Sequence, residues 1–183
     1  TGQSDHWFNH IQISPSGNYV AFFHRHSPGK NTRLLVSDID FKNVVLVGNY
    51  DLAVSHYDWR NDNEIIIAST KSWVRLTRPT SSIGVWNQSP LPSFGDNGHP
   101  TWLAKVGHTK NDMFQVLSDT STTRELFLFN VETKQRKDFG VHQVPKIYQA
   151  GEFRSDLHPR GSPSGRKFCV DICDRHLDCQ MAI

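Results

Sequence analysis

Residues 9–26, NHIQISPSGNYVAFFHRH, decide the fold: a short strand opening on His10, a tight turn at Ser14-Pro-Ser-Gly17, and an apolar second strand from Tyr19 to His24. Proline, serine and glycine are the residues tight hairpin turns require, and a run rich in valine and phenylalanine reads as a strand. The unit returns three times. His56-Tyr-Asp-Trp-Arg60, His99-Pro-Thr-Trp-Leu103 and His158-Pro-Arg-Gly-Ser162 align without gaps with His10-Ile-Gln-Ile-Ser14. In each, histidine stands four residues before the turn, and the four copies begin 46, 43 and 59 residues apart.

The turns that follow are SPSG at 14–17, RNDN at 60–63, a longer LAKVGHTKND at 103–112, and SPSG at 162–165. Apolar second strands come next: Glu64-Ile-Ile-Ile-Ala68, Met113-Phe-Gln-Val-Leu117 and Lys167-Phe-Cys-Val-Asp171. Third strands are RLLVSDID from Arg33, RELFLFNVET from Arg124 and QMAI from Gln180, with SWVRL (72–76) or IGVW (83–86) in the second copy. Weaker fourth strands are NVVLVGNY (43–50) and KDFGVH (137–142), and no amphipathic helix stands out.

A period in the forties built from short strands is the signature of a β-propeller of four-stranded blades. The expected fold is therefore all-β: one propeller over residues 1–183, with blades at about 5–50, 51–94, 95–142 and 152–183, the last incomplete. A β-sandwich is the runner-up, but it leaves the in-register histidines unexplained. Because the sequence stops inside a strand at Met181-Ala-Ile183, the expectation is a fragment of a seven-bladed ring whose remaining blades are missing; a closed four-bladed ring is the alternative.

Composition narrows the function. Hydrophobic content of 37% and charged content of 21% describe a globular chain, and a net charge of +2 with no basic run gives no footprint for nucleic acid. No segment approaches the roughly 18 apolar residues of a membrane span. Ten histidines are the unusual count. Imidazole is the commonest metal ligand and titrates near neutrality. If the first strands line a channel, His10, His56, His99 and His158 form a ring at one height, and converging imidazoles with a carboxylate suit a divalent ion such as Mn²⁺, Zn²⁺ or Ni²⁺. Asp96, three residues before His99, is the nearest oxygen donor, ahead of Asp58 and Asp156. The competing reading makes these histidines packing residues bonded to backbone carbonyls or to tryptophans.

The stations FFHRH, SHYDW, GHP and DLHPR, with the SPSG turns between them, resemble the propeller polysaccharide lyases: the oligogalacturonate lyases and the ulvan lyases. The resemblance runs over nearly the whole chain and covers about half of such a protein. It implies cleavage of uronic-acid polysaccharides by β-elimination, with metal ligands at His56, His99 and His158. Asp96 falls where that family places a glutamine, and His24 matches the position of the catalytic base. The ulvan lyases imply instead a histidine pair, for which His24 with His10 or His6 are candidates. They also imply a tyrosine and an arginine after SHYDW, where this chain has Trp73, Arg75 and Arg78. Gly161 departs from the pattern, standing where the second and third copies have Trp59 and Trp102.

In such a reaction the barrier lies in the carbanion. A divalent ion or an arginine must neutralise the uronate carboxylate, and a neutral histidine suits the base. The expected roles are therefore base chemistry at His24 and His10, and binding of an acidic oligo- or polysaccharide by Arg25, Arg60 and Arg75. The metal ligands are His56, Asp96, His99 and His158. The alternative is a non-catalytic propeller that binds glycan or protein through exposed aromatics such as Trp7, Trp73 and Trp86. A periplasmic or secreted location is expected ahead of a cytoplasmic one. Cys169, Cys173 and Cys179 are an odd set, read as a buried inert pair, a zinc site with His176, or a disulfide.

Overall fold

The computed structural model describes residues 5–27, 31–48, 50–70, 72–79, 84–92, 98–103, 113–119, 122–131, 133–150, 154–162, 164, 167–173 and 179–182. These residues form four antiparallel sheets, so the chain is all-β. It divides into two compact units, Thr1–Ser93 and Phe94–Ile183. No helix among the described residues is long and apolar enough to cross a membrane.

The first unit holds two four-stranded meanders. Strands β1 (His6–Ile13), β2 (Tyr19–His26), β3 (Asn31–Asp38) and β4 (Val44–Gly48) follow one another in space as in sequence. So do β5 (Val54–Asn61), β6 (Glu64–Ser69), β7 (Trp73–Thr77) and β8 (Asn87–Leu91). The SPSG turn closes as its composition requires: the Gly17 N–H donates to Ser14 O at 2.9 Å, and Gly17 takes φ 82°, which only glycine adopts without cost. Of the two readings of the third strand in the second copy, SWVRL is the one realised.

Alternation decides which face of each sheet is buried. Phe23, Leu34 and Val36 of the first sheet meet Tyr57, Trp59, Ile65, Ile67, Val74 and Leu76 of the second in one core, with Trp86 closing it. Burying each such side chain contributes about 1.5–3 kcal/mol. The Tyr57 hydroxyl, carried into this core, donates to the backbone carbonyls of His10 and Ala21, and the Trp59 indole N–H reaches Gln12 O at 3.3 Å. The first strands of successive sheets therefore lie side by side.

The second unit repeats the plan. Its first sheet orders β9 (Thr101–Trp102), β10 (Met113–Asp119), β11 (Thr123–Asn130) and β12 (Arg136–Gln143) in sequence. Its second holds β13 (Arg160–Gly161), β14 (Phe168–Cys173) and β15 (Cys179–Ala182). The departure at Gly161 has a steric reason. A Cβ placed there would lie 2.8 Å from Trp102 O and 3.3 Å from the Leu103 Cα, so the close approach of the two first strands admits only glycine.

Candidate metal centre

Three of the four repeat-heading histidines sit where the backbone is irregular. In β1 the pairing with β2 slips between Asn9 and Gln12, a bulge that contains His10, and His10 has φ 52°. In β5 the slip comes between Val54 and His56, and His158, just before β13, has φ 35°. Bulges and left-handed residues re-aim a side chain relative to its strand, and they concentrate at functional sites. In both units the result is a contact between successive repeats: His10 and His56 have ring centroids 5.5 Å apart, and His99 and His158 pack edge to face at 4.8 Å.

Among the described residues, the second of these pairs forms a cluster with a carboxylate. Among the described residues, His99, Asp156 and His158 are the three that bring ligating atoms together, all within 4.8 Å of one another. His99 is buried, Asp156 largely so, and His158 is exposed on one side. Burial pushes the Asp156 carboxyl up. The hydrogen bond and charge of Arg154, with His99 and Arg124 behind them, outweigh that and hold it below the usual aspartate range. Asp156 is therefore ionised at neutral pH. Arg124, its side chain 2% exposed, donates from Nε and Nη2 to Oδ1 at 3.2 and 2.9 Å, and Arg154 Nη2 lies 3.0 Å from Oδ2.

This donor set fits a divalent ion. Two imidazoles and one carboxylate match Zn²⁺, Mn²⁺ or Fe²⁺ chemistry, and the exposed side of His158 leaves room for a ligand from solution. Oδ2 of Asp156 is the less committed oxygen, and a carboxylate has about four acceptor sites, so the guanidinium contacts leave capacity for a cation. Behind His158, Nδ1 meets Asp171 Oδ2 at 3.1 Å. A carboxylate can only accept, so neutral His158 carries its proton on Nδ1 and keeps the Nε2 lone pair.

The first unit has a different arrangement. Arg33 Nε donates to His24 Nδ1 at 2.8 Å, and His24 Nε2 lies 2.9 Å from His6 Nδ1. Since Nδ1 accepts from Arg33, neutral His24 carries its proton on Nε2 and donates it to His6. Burial, then Arg33, His6 and His26, lower the His24 pKa, so the ring is neutral at pH 7. The rings of His6 and His24 stack at 5.0 Å, with Phe8 5.1 Å from His24 on the other side. Held at both nitrogens, His24 accepts a further proton only if one of these bonds opens.

Of the expected metal set, His99 and His158 come together as the repeat implies, and among the described residues the carboxylate beside them is Asp156; Asp96 lies outside the described residues. His56 belongs to the first unit, where Ser55 Oγ meets its Nδ1 at 2.9 Å. Asp58 is buried on β5 opposite Ile66, and its charge adds to the burial that raises the pKa of Tyr57.

The expected substrate arginines all lie in the first unit. Arg60 makes a two-pronged bond to Glu64 at 3.0 and 2.8 Å. Arg25 lies over the Phe23 ring, 5.3 Å from its centroid, on the core face of β2, and burial lowers its pKa. Arg75 sits mid-sheet between Ile66 and Ser89.

Other expectations also change. Trp73 and Trp86 are core residues, Trp86 packing 6.1 Å from Trp59, whereas Trp7 is exposed. Cys173 is disulfide-bonded and Cys169 is not, which favours the disulfide reading of the cysteine cluster; His176 lies outside the described residues. Arg124, Arg154 and Asp171 are not singled out by the repeat. Their signal is position: Arg124 lies near the start of a third strand, and Asp171 lies within a second strand, its carboxylate against His158.

No protein-family model matches the chain, and no curated protein matches it.

Proposed function

We propose that the chain is part of a β-propeller polysaccharide lyase. In this reading it cleaves uronic-acid glycans by β-elimination at a divalent-cation site made by His99, Asp156 and His158. The observation that carries the proposal is the gathering of those three ligating atoms within 4.8 Å. The propeller reading is supported inside each unit by first strands lying side by side, β1 with β5 and β9 with β13. It is supported also by Ile11 and Ile13. They occupy the repeat positions of buried Tyr57 and Trp59 yet are 65% and 61% exposed, as suits a face that a further blade would cover.

A cation bound there would supply positive charge to the uronate carboxylate and to the enolate that forms beside it. In the elimination a base removes the proton α to the carboxylate. The electron pair becomes the new carbon–carbon double bond, the bond to the 4-linked oxygen breaks, and that oxygen leaves with a proton. Arg154, on the Asp156 carboxylate, is a second cation suited to an acidic chain. The resemblance implies a histidine base at His24, or a pair of His24 with His10 or His6, all of the first unit. Incubation with pectic, ulvan and alginate oligomers, followed by ultraviolet absorbance of the unsaturated product, tests the proposal. Product that disappears with EDTA is expected; no product from any uronate polymer contradicts it.

One observation favours a second reading, a non-catalytic glycan- or protein-binding propeller: both nitrogens of His24 are hydrogen-bonded, so the expected base has no lone pair on offer. Binding of uronate oligomers unaffected by EDTA, with no turnover, would select that reading.

A further inference from the structure

We infer that Asp171 is a positioning residue for the candidate cation site, clamping the Leu157–His158 segment to β14 and fixing the His158 tautomer that keeps a lone pair on Nε2. This rests on the cation reading of that cluster. Asp171 acts twice. Its backbone N–H donates to Leu157 O at 2.7 Å, and its carboxylate accepts from His158 Nδ1 at 3.1 Å. Two positions on in the same strand, Cys173 Sγ lies 3.1 Å from Ser155 Oγ, at the other end of the segment that carries Asp156 and His158. The strand thus grips both ends of the ligand-bearing segment.

The grip accounts for a strained backbone conformation. His158 takes φ 35°, in the left-handed region, which a residue with a Cβ adopts only at a cost. Such a conformation persists only where its surroundings over-determine it. Asp171 supplies two of the constraints, one on the peptide before His158 and one on its ring. Without the carboxylate, neutral imidazole in water divides between two tautomers, and one of them places a proton on the nitrogen a cation needs.

The pair is half-exposed, 45% at the His158 side chain and 54% at Asp171. Outer carboxylates of metal-bound histidines typically contribute 10–100-fold in affinity, and solvent exposure places this one near the low end, at about 10-fold. The test uses the whole chain with two variants, Asp171→Ala and Asp171→Asn. Asparagine keeps an acceptor oxygen without the charge, so it should restore much of what alanine loses. Nitrogen-15 NMR of the metal-free protein is expected to show His158 protonated at Nδ1 in the native chain and in Asp171→Asn, and shifted towards Nε2 in Asp171→Ala. Calorimetric titration with Mn²⁺ and Zn²⁺ is expected to show about 10-fold weaker binding by Asp171→Ala, with an unchanged melting curve. Native affinity and an unmoved tautomer in Asp171→Ala overturn the role of Asp171 alone. Failure of the native chain to bind either ion overturns the cation site and the role together.

Discussion

Each unit brings two repeat-heading histidines into ring contact, but the surroundings of the two pairs are opposite in character. In the second unit the imidazoles of His99 and His158 share their space with an ionised carboxylate, itself held by Arg124 and Arg154. In the first unit His10 and His56 meet with the Ser55 hydroxyl beside His56, and elsewhere in that unit His24 is kept neutral by burial and the Arg33 guanidinium. The same strand geometry therefore sets a carboxylate beside one histidine pair and a serine hydroxyl beside the other. A repeat fixes where side chains point; the charge placed behind them decides what they do.

The largest expected effect that sharpens this contrast comes from the arginines. Arg124→Ala takes the buried guanidinium from the Asp156 carboxylate, leaving it Arg154 alone, and should cost about 3 kcal/mol, read as early loss of the second unit in urea. Arg33→Ala removes a donor from a neutral ring and should cost only about 1 kcal/mol. Equal costs would mean that the two clusters do not differ in charge as described.

Next in size is the close approach of first strands. Gly161→Ala forces a Cβ against Trp102 O and should destabilise the second unit by about 1–3 kcal/mol, seen as a lowered melting temperature. A neutral result would show that β9 and β13 have room to part. In the first unit the corresponding join is polar. Tyr57→Phe strips a hydrogen bond from the His10 and Ala21 carbonyls and should cost about 1 kcal/mol by the same measurement.

Acid should separate the units most gently. The folded-state pKa of His24 is lowered, so the unfolded chain binds protons more readily. The stability that His24 contributes is complete above its ordinary value near 6.5 and is lost as pH falls through the folded value. The Asp156 carboxyl is also lowered, but from near 3.9, so its contribution is lost only in stronger acid. Hydrogen exchange measured from pH 7 downwards should therefore show β1–β3 loosening before the Asp156 segment. The reverse order would contradict the neutral state assigned to His24.

Strand order and turn positions were legible in the sequence because they depend on local chemistry: turn residues at fixed offsets and apolar second strands. The joining of first strands could be anticipated from the histidine column, which places His99 beside His158. The partners behind the histidines could not. Asp156 lies on a coil and Asp171 within β14, brought together by the hydrogen bonds between the Leu157–His158 segment and that strand, and Asp96 stands out in the sequence only because it is near His99. Likewise Trp73 and Trp86 read as exposed binders, since nothing in their local sequence shows that Trp86 closes the core over Trp59. Gly161 reads as a lost aromatic, and only the position of Trp102 O shows it to be a steric requirement.

The account stands most directly on whether the cluster in the second unit holds a cation. Metal analysis and calorimetric titration of the untagged chain, repeated on His99→Ala, answer that. One divalent ion per chain, lost in His99→Ala with the melting curve of the metal-free protein unchanged, is the expected result. An untagged native chain that takes up no ion, or a His99→Ala variant that binds it equally well, would contradict the account.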